Sequence, residues 1–176
     1  QLNATYHYYY DGFRMVEMRN GSDQTLKQYV WAPSTTGYID ELVAIFVNDD
    51  PDDEIEQYCE TRYYALHDAN YNVMGMVDEE GVLVERYEYT PYGERIVFFS
   101  AGTNDPKLHS PTYLSRRLNI DSVDQPYGLC EFGHQGLMHD EETGLMYNRA
   151  RVLQPRIGRF LQRDPLTYRD SQNLYE

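Results

Sequence analysis

FGHQGLMHDEETGLMYNRARVLQPRIGRFLQRDPLTYRDSQNLY, residues Phe132 to Tyr175, decides the fold. Asp140 and Thr143 can cap a turn that Gly144 closes with positive φ, and Gln154-Pro155 and Gly158 punctuate the next one. No segment between these turns is long enough for a helix, so the stretch reads as short strands joined by tight turns. Leu145, Tyr147, Arg149 and Arg151 alternate with Met146, Asn148, Ala150 and Val152, which predicts one strand from Leu145 to Val152 with a small, mostly apolar face and a Tyr/Arg face. Between Arg149 and Arg169, six arginines (Arg149, Arg151, Arg156, Arg159, Arg163, Arg169) meet a single acid, Asp164. Guanidinium groups stack on tyrosine rings and fork onto carboxylates, so these arginines are expected to tie neighbouring coils of sheet together rather than to hold a substrate.

The same stretch resembles the C-terminal core signature of the Rhs family, the tyrosine-rich YD-repeat proteins of bacteria. The residues that carry the resemblance are Gly136, Glu142-Thr143-Gly144-Leu145, Tyr147, Arg149-Ala150-Arg151, Pro155, Gly158-Arg159-Phe160, Asp164-Pro165 and Asn173-Leu174-Tyr175. Leu137 departs from a usual basic residue, and Val152-Leu153-Gln154 from a usual Tyr-Tyr-Asp. The resemblance implies an all-β segment of repeated antiparallel hairpins, part of a sheet that spirals into a hollow shell enclosing a toxic or effector polypeptide. It also implies a bacterial product that is secreted or on the cell surface, whose partners are the rest of its own shell or neighbouring chains and the enclosed polypeptide. The family's self-cleavage uses an Asp-Pro-x-Gly element beyond the core, where this chain has already ended. Asp164-Pro165-Leu166 belongs to the upstream signature, so the resemblance carries over no catalytic residue.

Composition agrees with sheet. Eighteen tyrosines stand against six phenylalanines and one tryptophan among 176 residues, and tyrosine suits pleated, half-buried surfaces with one wet end. A net charge of -14 argues against nucleic acid or an anionic membrane surface as partner of the whole chain. Half of that charge lies between Asn48 and Glu60, which hold seven acids and no base. No apolar run exceeds Leu42–Val47, too short to span a membrane.

Tyr6–Arg14 reads as a YD repeat: a Tyr-x-Tyr-Asp strand end, a glycine turn and an arginine opening the return strand. Asn20-Gly21 signals a hairpin between Phe13–Arg19 and Thr25–Trp31. Tyr38–Val47 reads as a buried strand, followed by Arg62–His67, a turn at Asp68-Ala69-Asn70, Val73–Val77, a turn at Glu79-Glu80-Gly81, and Val82–Tyr89. The last runs into a second repeat copy, Tyr87 to Arg95. Copies of this kind make a stack in which each unit buries its apolar face against its neighbours. The expected division is 1–61, hairpins with the acidic loop 48–60, and 62–176, the core segment, with an irregular excursion over about 100–125.

Few residues suggest chemistry. Asp49-Asp50-Pro51-Asp52-Asp53-Glu54 lacks the glycine and spacing of a calcium loop. His7, His67, His109, His134 and His139 are scattered, with no metalloprotease or nucleophile-elbow pattern. Cys59 and Cys130 have no zinc spacing, and a disulfide between them is open. Asn3 and Asn20 head glycosylation tripeptides, but Asn20 is accounted for by its turn. The sequence therefore assigns no catalytic, cofactor-binding or metal-binding residue, and the expectation is a non-enzymatic shell segment that takes no cofactor. The alternative, from another class, is a cell-surface adhesion or carbohydrate-contact β module, because tyrosine and arginine on a sheet face are good sugar-stacking groups.

Overall fold

A computed structural model describes residues 5–33, 40–48, 61–99, 114–117, 129–140, 142–165 and 175. They form two antiparallel sheets. The first has nine strands side by side in chain order: β1 (Tyr6–Asp11), β2 (Arg14–Asn20), β3 (Thr25–Trp31), β4 (Leu42–Val47), β5 (Thr61–His67), β6 (Val73–Val77), β7 (Leu83–Tyr89), β8 (Arg95–Phe99) and β9 (Leu114–Arg117). The second has four: β10 (Met138–Asp140), β11 (Leu145–Asn148), β12 (Arg151–Gln154) and β13 (Arg159–Phe160). The fold is all-β, built of successive hairpins, as the sequence implies. The ladder passes without a break from β4 to β5, where Val47 pairs with Thr61.

One turn recurs along the first sheet. At Asn20, Asp68, Asp78 and Thr90 the backbone N–H donates to the carbonyl four residues on and the carbonyl accepts from the N–H three residues on. Each of these side chains also accepts from the amide four residues on, as Asp78 Oδ1 does from Val82 N at 2.7 Å. The third residue after each takes positive φ: Asp23, Tyr71, Gly81 and Gly93. This is a three-residue hairpin loop with a left-handed last position, its first residue locking the loop through its side chain. At the first of these turns the sequence singles out Asn20-Gly21, but the left-handed residue is Asp23, because Asn20 sets a three-residue loop.

The second sheet corrects a larger expectation. Leu145–Val152 is not one strand: Asn148 pairs directly with Arg151, and Arg149, at φ 49°, turns the chain back between β11 and β12. The alternation is real, but it runs up one strand and down the next. The turns at Gly144 (φ +68°) and Gly158 (φ +61°) fall where the sequence places them. Asp140 caps the first through its carboxylate, which accepts from Glu142 N at 3.1 Å and Thr143 Oγ1 at 2.7 Å. Within the expected excursion 100–125, residues 114–117 add β9 to the edge of β8, since backbone pairing with an open edge needs no side-chain alternation.

Alternation sorts the first sheet into two faces. Met15, Tyr29, Leu42, Ile45, Val73, Met76, Tyr87 and Val97 are buried on the inner one. Against them lies the segment Leu129–Asp140, which contributes Cys130 and Phe132 to the same core. Phe132 meets Trp31 and Tyr29 edge-on, with ring centroids 4.7 and 5.3 Å apart. Val30, Val43, Tyr64 and Leu66 face outward and are exposed.

Candidate functional site

The segment Leu129–Asp140 crosses the inner face instead of pairing at its edge, and two glycines let it do so. A Cβ on Gly136 would lie 2.0 Å from the Asp40 carbonyl oxygen, and one on Gly133 would strike His139 and the Tyr89 hydroxyl. Between them the chain makes a 3-10 turn at His134–Gly136. Backbone polar groups buried away from water need partners, and the sheet supplies them: Val73 N donates to Gly133 O at 3.0 Å, and Gln135 N donates to Asn72 Oδ1 at 2.8 Å.

Three charged side chains of the inner face hold the start of the segment. Glu85, buried on β7, accepts the Leu129 N–H on both carboxylate oxygens at 2.8 and 2.9 Å and also accepts the Tyr87 hydroxyl. Arg95, fully buried on β8, donates to Cys130 O at 2.6 Å and lies 5.2 Å from the Tyr87 ring centroid. Lys27 on β3 donates to Leu129 O at 2.8 Å and pairs with Glu131, whose other oxygen accepts the Tyr29 hydroxyl at 2.8 Å. A buried acid, a buried guanidinium and a mostly buried ammonium thus converge on Leu129–Phe132. Buried charges persist only when paired and hydrogen-bonded.

Titration behaviour follows from this burial. Desolvation first, then the neighbouring charges, drives Tyr87 and Tyr29 well above the ordinary phenol value. The Cys130 thiol, a free cysteine, is pushed up to about 12, chiefly by burial and then by Glu131. His139 is driven well below the ordinary imidazole value by burial, then by Arg95 and His134.

The arginines picked out by the sequence behave unequally. Arg149 reaches across to the first sheet and donates to both oxygens of Asp40 at 2.5 and 2.6 Å. Arg151 pairs with Asp164 at 3.0 Å and covers the Phe160 ring at 3.6 Å, a tie within the second sheet. Arg156 stands 3.7 Å from Glu94, again between sheets, and Arg163 donates to the Tyr175 hydroxyl at 3.2 Å. Arg159 is exposed and makes no ion pair among the described residues. Arg169, Cys59, His109, Asn3 and the acidic loop at Asp49–Glu54 lie outside the described residues. Asn20 spends its side chain on its turn, where Oδ1 accepts from Ser22 N and Gln24 N, each at 3.0 Å.

Sequence reading missed Lys27, Glu85 and Glu131, which sit in unremarkable alternating or loop context. Arg95 carried a signal: it is the residue that opens the return strand of the second repeat copy, as Arg14 does in the first. The three strands that supply Lys27, Glu85 and Arg95 bring these side chains to one patch only because the sheet places β3, β7 and β8 around the crossing segment.

No family model matches the chain. It is similar to Salivary gland surface protein 1 of Aedes aegypti, with 34% identity over 105 residues, 60% of this chain and 2% of that protein. It is also similar to toxin protein Tse5 of Pseudomonas aeruginosa, with 49% identity over 41 residues, 23% of this chain and 3% of that one. Among solved structures, that of the Photorhabdus luminescens Tc holotoxin pore with a mutated TccC3 matches 91% of this chain and 6% of its own, with 19% identity and a TM-score of 0.56. That likeness is one of fold. The chain thus spans only a few per cent of the length of each of these three proteins. No helix among the described residues is long and apolar enough to cross a membrane.

Proposed function

We propose that these residues are a non-enzymatic segment of an Rhs-like YD-repeat shell that encloses a toxin or effector polypeptide and is secreted or displayed by a bacterium. The observation that carries this reading is the open β1–β9 ladder, laid down strictly in chain order, with one turn repeated at four of its connections. Such a sheet grows by addition of further hairpins, and each unit is stabilised by its neighbours. A segment of this same chain is clamped on its inner face by Glu85, Arg95 and Lys27, which supports a face that holds polypeptide. The charged groups there are committed to hydrogen bonds and ion pairs, which suits holding better than proton transfer. The signature residues from Gly136 to Tyr175 and the similarity to proteins named as toxins support the same assignment.

Limited proteolysis of the intact protein tests it. An internal polypeptide that resists protease until the shell is unfolded is the expected result; one cleaved as fast as a free peptide refutes the shell.

One observation favours the adhesion reading. Tyr6, Tyr8, Tyr9 and Tyr10 on edge strand β1 are exposed, and the chain resembles a protein named for a gland surface. Saturable binding on a glycan array, lost when these tyrosines become serine, would favour it.

A further inference from the structure

His139 lies at the seam of the two sheets and the crossing segment, and the role assigned above to that segment makes no use of its titration. Its Nε2 accepts the backbone N–H of His134 at 3.1 Å, which puts the proton of the neutral ring on Nδ1. The backbone N–H of His139 donates to Glu131 O at 2.7 Å, and the residue pairs across β10–β11 with Met146. The ring is buried.

The surroundings offer an imidazolium nothing. From β8 comes the buried guanidinium of Arg95. From β7 comes Tyr89, its ring centroid 6.1 Å away and its hydroxyl committed to Val73 O at 2.5 Å. The segment itself supplies His134. Glu94, Asp140 and Arg156 line the cleft that reaches His139, but Asp140 caps its turn and Glu94 faces Arg156. Glu131 is held by Lys27 and Tyr29. Among the described residues no carboxylate hydrogen-bonds the imidazole.

We propose that His139 is an acid-sensitive latch: neutral, it accepts the His134 amide and keeps Leu129–Asp140 seated on the sheet; protonated, it sets one N–H against another and the segment lifts. The cleft gives water a route to the ring. Burial and Arg95 favour the neutral form in the closed state, so below the ordinary imidazole value the lifted state binds the extra proton and gains as pH falls. With an ordinary pKa of about 6.5 in the lifted segment, opening rises about 30-fold between about pH 7.5 and about pH 5.

Hydrogen exchange on the intact protein, corrected for the intrinsic pH dependence of exchange, reads this in peptides covering Leu129–Asp140. The wild type is expected to open about 30-fold more in acid. His139→Gln keeps an acceptor for the His134 amide but does not titrate, and its opening should lose most of the rise. His67→Gln and His134→Gln remove the other two depressed imidazoles and should keep the rise. Should His139→Gln fail to fold, the imidazole signal of His139 in the wild type serves instead, and its protonation must share its midpoint with opening. A flat wild type, an equal rise in His139→Gln, a rise lost in His134→Gln instead, or opening that precedes protonation of His139 overturns the proposal.

Discussion

Glu85→Ala should release the crossing segment while leaving the far strands intact. The carboxylate accepts the Leu129 N–H on both oxygens and the Tyr87 hydroxyl, so alanine strands two buried donors. Each unpaired buried donor costs about 1–3 kcal/mol. These penalties overlap because they share one cavity, so a total of about 3–5 kcal/mol is expected, or between two and four orders of magnitude in the local opening equilibrium. Glu85→Gln keeps an acceptor and the shape, and should cost about 1–2 kcal/mol. Hydrogen exchange resolves local from global opening: protection should fall in peptides around Leu129–Phe132 and β7–β8, and stay near the wild-type level in β2–β4. A loss below about 1 kcal/mol for the alanine variant, or one spread evenly over the whole ladder, would refute the anchoring role.

Arg149→Ala and Asp40→Ala should couple in a double-mutant cycle by about 1–2 kcal/mol, less than a fully buried pair because Arg149 is a third exposed; additivity within error would show that this pair does not help to hold the two sheets together. Arg159→Ala, with no ion pair to lose among the described residues, should change the melting temperature little, and a drop as large as that of Arg149→Ala would contradict the structure. Cys130, buried and raised to about 12, should resist alkylation near pH 8 in the native protein and react on unfolding; labelling at the rate of a free thiol would show that the core opens. These residues should catalyse no cleavage of their own chain: the Asp164 carboxylate is committed to its ion pair with Arg151 at 3.0 Å rather than free to attack a peptide bond. Intact-mass analysis over a range of pH checks this, and a discrete cut abolished by one Asp→Asn change would sink it.

The sequence alone determined what is local. β3 and β6 begin and end where the pattern places them, at Thr25–Trp31 and Val73–Val77, because alternation and turn chemistry act over a few residues. The Gly144 and Gly158 turns were legible for the same reason. Where two local signals competed, as in Leu145–Val152, the alternation concealed a two-residue turn, since a hairpin with an even loop keeps the period of two. Only the tertiary structure decided the anchor. Lys27 and Glu131 are 104 residues apart, Asp40 and Arg149 109, and Glu85 and Leu129 44. An acid in an alternating strand looks the same in sequence whether it meets water or a buried amide; which one it meets is fixed by the chain laid over that face.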